Sequence, residues 1–472
     1  MGILKTKTMR QPRSMTEGSL WSQILLFALP LACTGILQQL FNAADIAVVG
    51  NFTGTLGAVC MAACGACGPI VNLMVNLFVG LSLGSNVLVA QAIGAQDEKR
   101  LYRTVSTSLF IALSAGVLAA IVGMLFAVQI LEMMAVPEEV LPMATLYLRI
   151  YMAAMPVIVI YNFEAALFRG AGNTRTPLLV LSLGGVINVL LNLILVVWFH
   201  LAVEGVAIGT LVSNAVSALI LFVMLLKGNS GLKINLKKLQ FDGSLAARCL
   251  KVGVPAGLQG AVFSVANIIV QTATNSLGTN VIAAGSAAIN VEATTFNVLN
   301  SYGQACVTFV GQNYGAGKLE RCKQVLKVCL VEDFISVASI AALCCLFGDK
   351  IVLLFNSNPE VVALAYYRIR VLCLSHCASL FYEVFAGYLR AFGISTLPAI
   401  LTALGVCGIR CLWVFFYFPV HHTYQDLMLV YPVSLISTSV VVGLALLYCH
   451  PASRRLQARA EKEKLVLSEA TV

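Results

Sequence analysis

The chain has 472 residues, 59% of them hydrophobic and only 11% charged, with a mean hydropathy of +0.89. A soluble domain carries about 25% charged residues, so a water-soluble enzyme is excluded. The apolar runs reach the roughly 20 residues of a membrane helix rather than the roughly 10 of a barrel strand. The net charge of +9 falls between the apolar runs, where it reports membrane orientation and not a nucleic acid partner.

Twelve apolar spans are predicted, at 23–49, 57–90, 104–128, 143–165, 177–199, 203–226, 247–274, 281–310, 325–347, 362–386, 398–418 and 427–449. The first runs too far, and passes too directly into the second, to be a cleaved signal. It carries Pro30, which cannot donate to the helix ladder and marks a hinge. Beyond it Gln38, Asn42 and Asp45 share one face at i, i+4 and i+7. A charge in hydrocarbon costs at least ~2.5–3.5 kcal/mol, so Asp45 is the leading candidate to take up a proton or help hold Na⁺. The alternative is a structural hydrogen bond between helices.

The second span adds Asn72 and Asn76, and a lone Cys64-x-x-Cys67 whose thiols read as small residues for helix packing. Lys99, Arg100 and Arg103 follow it. Glu164, near the end of the fourth span, is expected to pair with Arg169, and the fifth carries Asn188 and Asn192. A Lys-rich linker, 227–246, separates an N-lobe (23–226) from a C-lobe (247–449), between tails at 1–22 and 450–472. The seventh span contains a second hinge proline, Pro255, and the polar residues Gln259, Ser264, Asn267 and Gln271. With Asn72 and Asn76 these are candidates to line a substrate cavity; helix–helix glue is the competing reading.

Glu292 stands midway along the eighth span, on a different face from the stripe Asn290, Thr294, Asn297 and Ser301. Glu332 and Asp333 lie close enough to an end of the ninth to receive no role. In the tenth, His376, Ser379 and Glu383 share a stripe that could relay protons or form a buried His–Glu hydrogen bond. Arg410 is the arginine placed deep within a span.

Lys5, Lys7, Arg10, Arg13 and the other positives of alternate loops put 25 of 30 Lys and Arg on one side. A multi-pass protein of the cell (cytoplasmic) membrane with both termini cytoplasmic follows. The two halves repeat at an offset of 221 residues: Gln91, Gly94, Ala95 and Arg100 match Gln312, Gly315, Ala316 and Arg321, and Arg169 and Gly172 match Arg390 and Gly393. Pro30 and Pro255 correspond after a four-residue gap. Six helices per copy make this a parallel repeat, with a pseudo-two-fold axis along the membrane normal and a cavity between lobes, as in transporters. The fold class expected is an all-α membrane protein of twelve transmembrane helices in two six-helix lobes.

The segments LPLACTGILQQLFNAADIAVVG, VAQAIGAQDEKR, ALFRGAGNTRTPL, VPAGLQG, FVGQNYGAGK and GYLRAFG, in this order over essentially the whole chain, resemble the multidrug and toxic compound extrusion (MATE) transporters. The resemblance implies a twelve-helix, two-lobe exporter of organic cations or amphiphilic drugs working by alternating access. A monomer embedded in the lipid bilayer is expected and, with no cluster of catalytic-type groups in the sequence, not an enzyme. Exchange for H⁺ or Na⁺ is implied, with no other cofactor. It also implies that Asp45 is the N-lobe cation site. Asn192 stands where one branch has an Asp, and the helix-7 Glu of another branch is missing near Gln259, so Glu292 and Glu383 are candidates for the C-lobe acids. A lipid-linked saccharide flippase of the same superfamily is the alternative, and would be expected to line its cavity with several arginines.

Overall fold

A computed structural model describes residues 15–228, 232–353 and 357–455. The basic residues Lys5, Lys7, Arg10, Arg13, Arg459, Lys462 and Lys464 lie outside the described residues. Among the described residues the chain forms helices and no strand. The first half contains α1 (Leu20–Phe52), α2 (Gly57–Gly94), α3 (Glu98–Met133), α4 (Leu141–Ala153), α5 (Met155–Gly170), α6 (Arg175–Leu193) and α7 (Val203–Lys227). The second contains α8 (Gly243–Asn275), α9 (Thr279–Gly315), α10 (Leu319–Leu353), α11 (Pro359–Ala391), α12 (Thr396–Thr402), α13 (Ile409–Leu412), α14 (Phe418–His421), α15 (Tyr424–Met428) and α16 (Val430–Cys449).

These account for the twelve expected spans, with three differences. The fourth is two helices, α4 and α5, bent by 47° at Ala154 just before Pro156. The fifth and eleventh contain π-helical turns, at Ile194–Trp198, Ala403–Gly408 and Trp413–Tyr417. The ninth is longer than 325–347, because α10 already begins at Leu319. Of the long helices α9 is too polar to pass as a membrane span by composition; it hides that polarity by packing against α1, α2, α10 and α11. Pro30 and Pro255 each sit inside an unbroken helix.

The repeat is visible in the turns. Gly172 (φ 85°) and Gly393 (φ 84°), 221 residues apart, end α5 and α11 in left-handed conformations that a Cβ disfavours. There Asn173 N–H donates to Phe168 O at 2.9 Å and Ile394 N–H to Leu389 O at 3.0 Å, closing matched helix ends.

The lobes meet where α2 crosses α8, and α1 and α2 cross α9. Glycine lets backbones approach: a Cβ on Gly84 would stand 2.1 Å from the Cys249 carbonyl oxygen, and one on Gly253 2.2 Å from that of Leu81. Two symmetry-related bonds fasten the end of the bundle that carries Lys99 and Lys318. Gln91 Nε2 donates to Ala391 O and Gln312 Nε2 to Gly170 O, both at 2.9 Å. Further from this basic end Gly260 packs on Asn76, and its repeat partner Gly35 on Asn297. Asn76 Nδ2 donates to Ser264 Oγ at 3.1 Å. Beyond these contacts Gln38, Asn42, Asn72, Asn267 and Gln271 are exposed. The lobes therefore part into a cleft that opens away from the basic end.

Candidate functional site: the cleft between the lobes

Asp45 sits on the N-lobe wall of this cleft, half-buried between α1 and α6. Asn192 Nδ2 donates to its Oδ1 at 2.6 Å. With the amide of Asn188 turned to satisfy its neighbours, Nδ2 donates to the same oxygen at 2.7 Å, while Oδ1 accepts from Thr210 N–H at 3.3 Å. The spacing of Asn188 and Asn192, one helical turn, is what lets both reach one carboxylate. Asn192 is fully buried because α7 offers Gly209 opposite it; a Cβ there would lie 2.0 Å from Asn192 Oδ1. An acid backed by two amides can accept a proton on its carboxylate, or offer oxygen ligands to a small hard cation. Gln38 and Asn42 keep to the face of Asp45 but bond neither to it nor to each other among the described residues. Thr210, on the next helix, was not legible in sequence.

The C-lobe candidates are spoken for differently. Glu292 is held by Arg368, with Nε to Oε1 at 2.5 Å and Nη2 to Oε2 at 3.0 Å, both side chains largely buried. Its expected role as a free coupling acid is corrected to one half of a bidentate ion pair, because α11 carries the arginine against α9. Glu383 accepts from Asn300 Nδ2 at 3.3 Å and lies 3.8 Å from Arg390 Nη1. His376 does not meet Glu383; Nδ1 contacts Ser379 Oγ at 3.1 Å and the ring packs on Phe296. Gln259 is turned to Arg390, whose Nη2 donates to Oε1 at 2.6 Å, and Gln271 donates to Asn275. Asn267 accepts from Arg410 Nη1 at 2.6 Å.

Two further expectations change. Glu164 does not pair with Arg169: it is fully buried, and neither carboxyl oxygen has a partner among the described residues. Glu332 and Asp333 are not near a helix end. Starting α10 at Leu319 puts them about 20 Å along it at 1.5 Å per residue, buried and with no hydrogen-bond partner among the described residues. The matched turns before α3 and α10 were the signal for that earlier start. Finally, Arg410 shares its burial with Arg169 and Arg390, which lie at the ends of α5 and α11, and with Arg368, in the first half of α11.

A family model for MatE matches residues 30–194 and again 255–415, once in each half and starting at Pro30 and at Pro255. The chain belongs to the MatE family. Among similar MatE proteins, the Probable multidrug resistance protein YoeA of Bacillus subtilis (strain 168) is 28% identical over 402 residues, 84% of this chain and 86% of the relative. The Probable multidrug resistance protein NorM of Thermotoga maritima is 25% identical, covering 82% and 83%. The solved structure of MATE in the bent conformation superposes with a TM-score of 0.84 at 23% identity, over 97% of this chain and 99% of that one. That of an outward-facing multidrug resistance MATE family transporter of the MOP superfamily gives 0.84 at 22%, over 97% and 100%. The fold is thus a two-lobed MatE fold, and the chain is a multi-pass membrane protein.

Proposed function

We propose that this MatE protein is a secondary efflux transporter. It exports organic cations or amphiphilic drugs in exchange for H⁺ or Na⁺, with the basic end of the bundle in the cytoplasm. The observation that carries the reading is Asp45 on the wall of a cleft between two repeated lobes, amide-bonded but without a cationic partner among the described residues. Similarity to proteins named for multidrug resistance supports the substrate class.

The chain's own residues suggest the cycle. With the cleft open away from the basic end, α2–α8 and α1–α9 seal that end and leave Asp45 beside the opening, which is outward if the basic end is cytoplasmic. A proton or Na⁺ arriving there neutralises the carboxylate and removes its attraction for an organic cation, which leaves outward. A ligand can shift the lobes only by its difference in affinity for the two arrangements. Asp45, Asn188 and Asn192 come from three turns on two helices, so relative movement of α1 and α6 changes the ion's coordination. Glu292 and Glu383, engaged by arginines, are left as structural charges. Two of the four arginines buried among the described residues are thereby matched by acids, which does not suit a cavity for a polyanionic lipid-linked saccharide.

The test is ethidium efflux from proteoliposomes with pH and Na⁺ gradients imposed separately. Asp45→Asn abolishes gradient-driven efflux while the purified protein keeps its melting temperature within a few degrees. Gradient-driven efflux by the mutant at the wild-type rate overturns the reading.

A further inference from the structure

The repeat places two sites of opposite sign at equivalent positions. Allowing the four-residue gap that relates Pro30 to Pro255, Asn42 on α1 corresponds to Asn267 on α8. At the offset of 221, Val189 on α6 corresponds to Arg410, Thr210 on α7 to Tyr431, and Ser213 to Ser434. In the N-lobe these helices surround the carboxylate of Asp45. In the C-lobe the same three surround the guanidinium of Arg410, and Val270 occupies the position of Asp45.

Arg410 is almost wholly buried, yet none of the described carboxylates lies within ion-pair distance of it. Its Nη1 donates to Asn267 Oδ1 at 2.6 Å and its Nε to Ser434 Oγ at 3.4 Å. Its charge lies 5.2 Å from the centre of the Phe263 ring and 4.8 Å from that of Tyr431. Arg368 and Arg390, its buried neighbours in the C-lobe, each have a glutamate. Aromatic faces and a neutral amide steady a cation but do not neutralise it. Its amide partner reaches the surface of the cleft: Asn267 is exposed, one turn beyond Ser264, where α8 bonds α2 through Asn76. The backbone on either side of Arg410 is π-helical, a distortion frequent at functional sites.

We propose that Asn267 and Arg410 form a subsite for a carboxylate of the transported compound on the C-lobe wall of the cleft. Resting on the efflux reading above, this makes the preferred substrate a zwitterion whose cationic group faces the Asp45 wall and whose carboxylate faces the Arg410 wall. Asn267 Nδ2 is the group that meets the carboxylate, since its Oδ1 is committed to the arginine, and Arg410 supplies the charge behind it.

The experiment compares binding of norfloxacin, its methyl ester and ethidium to the purified full-length protein. The ester keeps the cationic amine and the ring system but hides the carboxylate. A charge-assisted hydrogen bond supports a preference of at least about tenfold for norfloxacin over the ester in the wild type. Arg410→Gln removes that preference. Asn267→Asp, which leaves the arginine in place and gives it a counter-charge, removes it too and tightens ethidium binding. A wild-type protein that binds ethidium but does not prefer norfloxacin to its ester overturns the subsite while leaving the efflux reading intact. So does an Asn267→Asp variant that keeps the preference. Binding of none of the three compounds by the wild type sinks both.

Discussion

At the residue scale, the polar groups of the helices divide by whether a partner of opposite charge reaches them. Asp45 has amides, and those amides depend on an absence of side chain on α7. Gly209→Ala would put a methyl 2.0 Å from Asn192 Oδ1, forcing the amide off Asp45. Loss of one hydrogen bond to a charge is worth about 1.5–3 kcal/mol, so ethidium efflux should fall about tenfold or more with the fold retained. Unchanged efflux would show that Asn192 does not serve Asp45. The Glu292–Arg368 pair is different in kind. Arg368→Ala strands a buried carboxylate and should destabilise the protein by about 3–5 kcal/mol, read as a lowered melting temperature. Glu292→Gln combined with Arg368→Gln should recover most of that loss. The sequence pointed to Asp45, Asn188 and Asn192 separately, because amides and acids are conspicuous in apolar runs. That Arg368 claims Glu292 was not legible, since the two are 76 residues apart and meet only when α9 packs on α11.

At the element scale, helix ends follow local chemistry that can be read from the chain. Asp242 caps α8: its carboxylate accepts from Ser244 Oγ at 2.7 Å, Ser244 N–H at 3.0 Å and Leu245 N–H at 3.2 Å. The Ser244 hydroxyl first, then the Leu245 amide, hold its carboxyl below the ordinary carboxylate range, with Arg103 adding a smaller effect at 3.7 Å. A lowered folded-state pKa stabilises at pH values above the unfolded pKa, and that contribution is lost as pH falls through the folded one. Asp242→Ala should therefore reduce amide-exchange protection at Ser244 and Leu245 at neutral pH. The gap from wild type should close in acid; a gap constant with pH would exclude the cap's charge as the cause. Helix interiors were less legible than ends. The bend at Ala154 and the π-helical turns around Arg410 leave the apolar pattern of their spans unbroken, so hydropathy passes straight over them.

At the scale of the whole molecule, the two lobes are fastened at the basic end by a reciprocal pair, Gln91 to α11 and Gln312 to α5. Each belongs to one lobe and caps a helix end of the other, so both break if that end opens. A neutral hydrogen bond contributes about 1 kcal/mol net, roughly a fivefold change in population. Gln91→Ala and Gln312→Ala should each lengthen the distance between spin labels placed at Lys99 and Glu320, and the double variant should lengthen it further. Equal distances in all four proteins would show that the glutamines do not hold the closed end. The sequence by itself determined the membrane as solvent, the count of the spans and the repeat. Those follow from hydropathy and from residues recurring at one offset, all properties local to the chain. Only the tertiary structure decided which buried charges are matched. It paired Glu292 and Glu383 with arginines, left Arg410 with an amide, a hydroxyl and two aromatic rings, and gave Asp45 amide partners. Charge compensation depends on distances of a few ångströms between helices far apart in sequence, and the sequence carries no record of them.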